Sequence, residues 1–244
     1  SMGNWSKIIY DKLPMFYGQI MMKKYLDNPS ISFCAVGDCK YDNCPLQVSE
    51  FGQNKEIDQL ISKIYLEGGG GDSFYESYEM AAFFYLNCCN LNNSEIPFFF
   101  FTGDELYYDK ISKTSIESII GVKSDTLDSI EVFKKLKEKY NVFILKKKYD
   151  GKEEKEITKT WINVLGEERV LNINHPKACI DIMLGAIAIT SGKRTLEEYI
   201  IDMKERNQTS DRIQEVTDSL KLYYEYVSNK KTNVVKSNKL MSET

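Results

Sequence analysis

The chain has 244 residues, and 32 Lys and Arg against 36 Asp and Glu leave a net charge of −4. At 42% hydrophobic and 12% aromatic it has the length for one large domain, or a domain with an appendage, around a substantial core; disorder, a collagen helix and a small disulfide scaffold are excluded. The mild acidity, with a pI near 5.3, argues against nucleic acid, because phosphate binding needs a basic face.

In chain order, WSKIIYDKLPMFYGQIMMKKYL sets Ile9, Leu13, Phe16 and Ile20 at helical spacing, and Pro14 predicts a kink. ISFCAVG, bounded by Asn28-Pro29 and Gly37-Asp38, reads as a short buried strand. PLQVSEFG is its expected partner at a sheet edge, where Pro45 is tolerated. NKEIDQLISKIYLE carries Ile57, Leu60, Ile61 and Ile64 in one stripe, stops at the glycines 68–71, and is followed by a second helix over 74–86. In PFFFFTGDE, four consecutive phenylalanines cannot face water, which predicts a central strand covered on both sides.

A helix over 129–140, a strand NVFILKK, a helix ITKTWINVLG and a strand ERVLNIN come next. His175-Pro176 then opens an apolar helix over 178–189, well short of the ~20 residues a membrane span needs and carrying Asp181. Thr195 and Glu198 form a capping box for LEEYIIDMKER. Ile213, Val216, Leu220, Tyr223 and Val227 then recur on one helical face, while the polar residues 228–244 are expected to fray.

Strands alternating with helices predict a mostly parallel sheet covered by helices on both faces. Ligands on such sheets bind outside the C-terminal strand ends. That rule selects Gly37-Asp38 and Thr102-Gly103-Asp104-Glu105, and the loop GGGGDSFYE joins them because it feeds a helix. Bare backbone N–H groups at a helix start cradle phosphate, but the phosphate-loop pattern requires Lys followed by Ser or Thr. This loop supplies Asp72 and Glu76 instead, which repel phosphate and attract a cation. Asp104 adds a second hard oxygen, with Thr102 and Ser73 as neutral ligands or outer partners, a set suited to Mg²⁺ or Mn²⁺. The plainer alternative makes Asp72 a helix N-cap and Asp104 a solvated strand end.

EGGGGDSFYESYEMAA resembles the G-G-G-D-x-x-E segment of one branch of von Willebrand factor A domains, and PFFFFTGDE resembles their central strand ending in a metal-binding Asp. The resemblance runs from the first helix to about Gly192. It implies an α/β, Rossmann-like, doubly wound fold with a metal-ion-dependent adhesion site, where Mg²⁺ at the strand ends keeps one position open for a partner's carboxylate. The family's first metal motif, D-x-S-x-S, ends a strand just before the first helix. Ser1-Met2-Gly3 and then Asn4-Trp5 are similar to its last Ser and the start of that helix, so the first strand with its Asp and Ser is absent from this chain on that reading. The implied metal ligands are Ser1, Asp72, Ser73 and Asp104. The alternative is that Ser1, with or without Met2, is a remnant of expression cloning. Asp72 stands where most of the family has Thr, and Ser73 beside it can serve.

Other chemistry has little support. The lone His175 removes mechanisms that need more than one imidazole, no G-x-S-x-G elbow is present, and His175 is expected to be a structural cap. The six cysteines, at 34, 39, 44, 88, 89 and 179, are too sparse for a disulfide framework and too widely spaced for a zinc knuckle; they read as structural thiols in a reducing compartment. No signal-peptide pattern opens the chain, so a cytoplasmic location is expected. KKLKEK and KKKYDGKEEKE read as mixed-sign solvated faces.

The expected organisation is a von Willebrand A-like domain over 1–192, a helical extension over 193–228 and a tail over 229–244. The expected function is non-catalytic binding of a protein partner through a divalent cation at the strand ends, with no nucleic acid, membrane or small-molecule substrate. Two alternatives stand beside it. One is a Mg²⁺-dependent hydrolase or phosphotransferase with Asp72 and Asp104 as ligands and Glu76 or Glu105 as base; the other is a metal-free scaffold subunit.

Overall fold

Proline has no N–H to give, so it belongs in the first turn of a helix. In the computed structural model the first helical stretch is accordingly two helices, α1 (Asn4–Tyr10) and α2 (Leu13–Lys23), with Pro14 in the first turn of the second, and not one kinked rod. Residues 2–67, 73–91 and 93–242 are described.

The first apolar run becomes β1 (Cys34–Val36), paired antiparallel with β2 (Leu46–Val48) so that Ala35 faces Gln47. Helix α3 (Glu56–Ser62) buries Ile57, Leu60 and Ile61 against Tyr17 and Phe33. Helix α4 (Tyr78–Asn87) precedes β3 (Phe98–Gly103). A small antiparallel ribbon, β4 (Lys110–Ile111) with β5 (Leu127–Asp128), brackets α5 (Lys113–Ser115) and one π-helical turn at Ile116–Ile120. Strands this short carry no readable period, and the sequence reading missed them.

Helix α6 (Ser129–Lys139) is capped by the Asp128 carboxylate, which accepts from the N–H groups of Ile130 and Glu131. Then come β6 (Asn141–Lys147), α7 (Glu154–Leu165), β7 (Val170–Ile173), α8 (Cys179–Thr190), α9 (Leu196–Glu205) and α10 (Ser210–Ser242). The capping box at Thr195 and Glu198 forms in both directions. Helix α10 continues through much of the segment expected to fray. Among the described residues no helix is long and apolar enough to cross a membrane.

β3, β6 and β7 form a parallel sheet in the order β3-β6-β7, with Phe101 opposite Ile144 and Ile144 opposite Val170. Among the described residues the phenylalanine strand is therefore the edge of its hydrogen-bonded sheet, where a central strand was expected. Both of its faces are nevertheless covered, because alternate side chains point to opposite sides. Phe98 and Phe100 pack on the core of Phe143, Leu145, Met183 and Ile187, while Phe99 and Phe101 lie with Val142, Ile144, Phe133 and Trp161. Helices α2, α8, α9 and α10 supply the first core, and α4, α6 and α7 the second. Among the described residues the architecture is thus mixed α/β, a three-stranded parallel sheet between helical layers, with two small antiparallel ribbons.

Buried carboxylates tie the C-terminal helices to the rest. Asp202 on α9 accepts from the Tyr25 hydroxyl at 2.8 Å, from Lys23 at 3.0 Å and from Arg194 at 2.8 Å, and Asp181 on α8 pairs with Arg206 at 2.9 Å. Such groups are tolerated in an interior because they are paired and hydrogen-bonded.

Candidate functional site at the strand ends

The ends of β1 and β3 are held together by the backbone just beyond the glycine loop. The Ser77 N–H donates to the carbonyl of Gly37 at 3.1 Å, the Glu76 N–H to Leu106 at 2.8 Å, and the Leu106 N–H to Phe74 at 2.9 Å. Residues just beyond the two strands, Asp38 and Asp104-Glu105, are thereby gathered around Glu76 and Tyr78.

Asp38 is only 3% exposed and fully engaged. It accepts from the Ser73 hydroxyl at 2.8 Å, from the Tyr108 hydroxyl at 2.8 and 2.9 Å on its two oxygens, and from the Lys40 N–H at 2.9 Å. Burial and the Asp38 carboxylate raise Tyr108 well above the usual phenol range, so it acts as a donor here. The Tyr108 ring stacks on Tyr75 at 4.9 Å and carries the Lys40 ammonium at 3.9 Å.

Asp104 is 1% exposed, and one of its oxygens takes the Lys147 ammonium at 2.7 Å. The parallel register explains how a residue of β6 arrives there: Gly103 lies opposite Lys146, and the next residue along points to the other face. Lys146, also 1% exposed, pairs with Glu154 at 2.6 Å instead. The expectation that the KKK run is a solvated face is corrected here. These two lysines end a buried strand, so alternation sends them into opposite interiors.

Glu76 and Glu105 form a close carboxyl pair. Burial first, and then the Glu105 carboxylate with which it shares a hydrogen bond, push Glu76 up to about 9, so it holds its proton at neutral pH. Its Oε2 is buried without a hydrogen-bond partner among the described residues. Glu79, on the first turn of α4, is pushed up to about 8 by burial and accepts the Tyr108 N–H at 3.2 Å. The Tyr78 hydroxyl, raised by burial and by Glu76, Asp104 and Glu105, sits among these groups and over Gly103.

Of the four metal ligands implied by the resemblance, Ser1 and Asp72 lie outside the described residues. Ser73 is directed to Asp38, and Asp104 to Lys147. Mg²⁺ demands near-octahedral oxygen ligation. With an ammonium on Asp104 and the Ser73 hydroxyl committed, the described residues do not by themselves make that cage, and among them no group of three or more His, Cys, Asp or Glu is arranged to hold an ion.

The sequence reading missed Lys147, Tyr78 and Tyr108. A basic residue closing an apolar strand was the available signal for Lys147; the tyrosines gave none, since nothing local marks which hydroxyl meets a carboxylate. His175 behaves as expected, its ring nitrogen accepting the Lys177 N–H as a helix cap. All six cysteines are free thiols, and burial raises Cys34, Cys39, Cys88, Cys89 and Cys179 away from reactivity. Compared with protein-family models, curated proteins and solved structures, this chain finds no match.

Proposed function

We propose that the chain is a von Willebrand A-like, non-catalytic protein-binding domain that meets its partner at the strand ends. The observation that carries this reading is the convergence of Asp38, Glu76, Asp104 and Glu105 on one end of the strands, with a buried Glu76 oxygen still lacking a hydrogen-bond donor among the described residues. Asp38 and Asp104 are already engaged, by hydroxyls and by Lys147, so the group left for a partner to satisfy is the Glu76 oxygen. A divalent cation belongs to the proposal only with ligands from outside the described residues, such as Asp72 and Ser1.

The hydrolase alternative fares worse. Of the two bases it names, Glu76 and Glu105, burial and Glu105 raise Glu76 so that it holds its proton at neutral pH, and the single imidazole caps a helix. The test is an assay of the purified protein in Mg²⁺ against phosphate and ester substrates, alongside Asp104→Ala. We expect no turnover from either. Mg²⁺-dependent turnover lost in Asp104→Ala would replace binding with catalysis.

A further inference from the structure

We infer that a second copy of this chain covers the outer face of α2, in a two-fold dimer whose α2 helices cross antiparallel at Gly18. A helix at the surface of a protein in water is apolar on the side it buries and polar on the other. Helix α2 buries Phe16, Tyr17 and Ile20, yet its opposite side is Pro14, Met15, Gly18, Met21 and Met22, all exposed and none charged. Met22 alone is 63% exposed. The amide and ammonium of the helix turn aside to α9, where Gln19 lies 3.5 Å from Arg206 and Lys23 reaches Asp202 at 3.0 Å. A contiguous apolar face left open in this way marks a protein contact.

Gly18 supplies a second, independent observation. Glycine inside a helix is destabilising relative to alanine, and it belongs where another backbone or side chain comes close. Beyond its own helix backbone and chain neighbours, no atom lies within 4 Å of the position a Cβ would take at Gly18, and its φ is not positive. Nothing inside the fold requires glycine there. The close neighbour comes from outside.

The order of residues along the face fits a copy of itself. Met15 stands three residues before Gly18 and Met22 four after it, while Pro14 stands four before and Met21 three after. A two-fold axis at Gly18 between antiparallel helices therefore sets Met15 against the partner's Met22 and Pro14 against the partner's Met21, on both sides of the axis alike. That is the self-complementarity an isologous contact requires. The charges agree with it. Exposed Asp11 precedes the helix and exposed Lys24 caps its end, so antiparallel copies bring opposite charges together at each end, where parallel copies would oppose like charges. Methionine side chains are flexible enough to adapt to such a contact. One helix face falls well below the ~800 Å² per partner of a standard interface, so the dimer is weak and reversible.

Sedimentation equilibrium over about 5–500 µM, with thermal melts of the same variants at the low end, tests it. The parent chain should pass from monomer towards dimer across that range. Gly18→Leu should weaken association at least about tenfold while its monomer melts no lower than the parent, because leucine is the better helix former and has open space around it. Met22→Lys and Met15→Glu should each weaken association at least about tenfold, and their equimolar mixture should return to within about threefold of the parent, because opposite charges then meet across the axis. A chain that stays monomeric to the top of the range overturns the inference and leaves the face to a different polypeptide. Dimerisation that Gly18→Leu and Met22→Lys leave unchanged places the contact elsewhere and overturns it too. A mixture that associates no more tightly than either variant alone overturns the antiparallel pairing.

Discussion

The Tyr78 ring crosses the end of β3 so closely that a Cβ on Gly103 would collide with its hydroxyl and lie 2.8 Å from Cζ. The residue before the acidic pair is glycine because α4 needs that space. Gly103→Ala should therefore cost about 1–3 kcal/mol, as overpacking does. Tyr78→Phe in the same chain should return part of that loss, since the hydroxyl is the nearest obstacle. Urea melts of the two single variants and the double variant check this, and strict additivity would mean that the ring and the glycine do not interact.

The ion pair of Lys147 and Asp104 is buried on both sides, with side-chain exposures of 13% and 1%. Removing the ammonium by Lys147→Met takes the counter-ion from a carboxylate out of water, and should cost about 3–5 kcal/mol. Adding Asp104→Asn should recover much of it, because the charge disappears along with its partner. Equal stability of Lys147→Met and the parent would place the pair in solvent.

Stability should fall as pH rises from about 5 to 9. Glu76 and Glu79 have folded values pushed up to about 9 and about 8, above the ordinary 4.5. Between the unfolded and folded values the native chain therefore holds protons that the unfolded chain has released, and each such proton makes stability decline by about 1.4 kcal/mol per pH unit. This contribution is complete below the unfolded value and lost once pH passes the folded ones. Denaturant midpoints at pH 5.5, 7 and 8.5 measure the decline, and Glu79→Gln should flatten it. A midpoint that rises over this range would contradict the assigned shifts.

The four phenylalanines should not be equivalent. Phe101 is 3% exposed with rings of Tyr78, Phe133 and Trp161 within 5.8 Å, so Phe101→Ala should cost about 3–5 kcal/mol. Phe100 is half-buried, stacked on Phe143 at 5.3 Å and facing an open cavity, and its truncation should cost about half as much. Melts of the two variants decide it.

Much of the scaffold is legible locally. Ile57, Leu60 and Ile61 face inward at helical spacing as their stripe requires, the Thr195 capping box forms, and the apolar runs at 98–101 and 142–145 are strands covered on both faces. Lys146 and Lys147 show where that legibility stops. Their charges suggest solvent, yet the strand they terminate carries them inward to Glu154 and Asp104.

The alternation of strand and helix and the acidic character of the strand ends are local properties of the chain, because apolar period, Gly and Pro punctuation and residue type act within a few positions. Long-range packing alone pairs β3 on one side among the described residues, spends the Ser73 and Tyr108 hydroxyls on Asp38, and raises Glu76 through its burial and the nearby Glu105. Those outcomes depend on which distant segment reaches a given edge or carboxylate. A hydrogen bond or a pKa shift is set by burial and neighbours, and neither is a property of the residue's own stretch of chain.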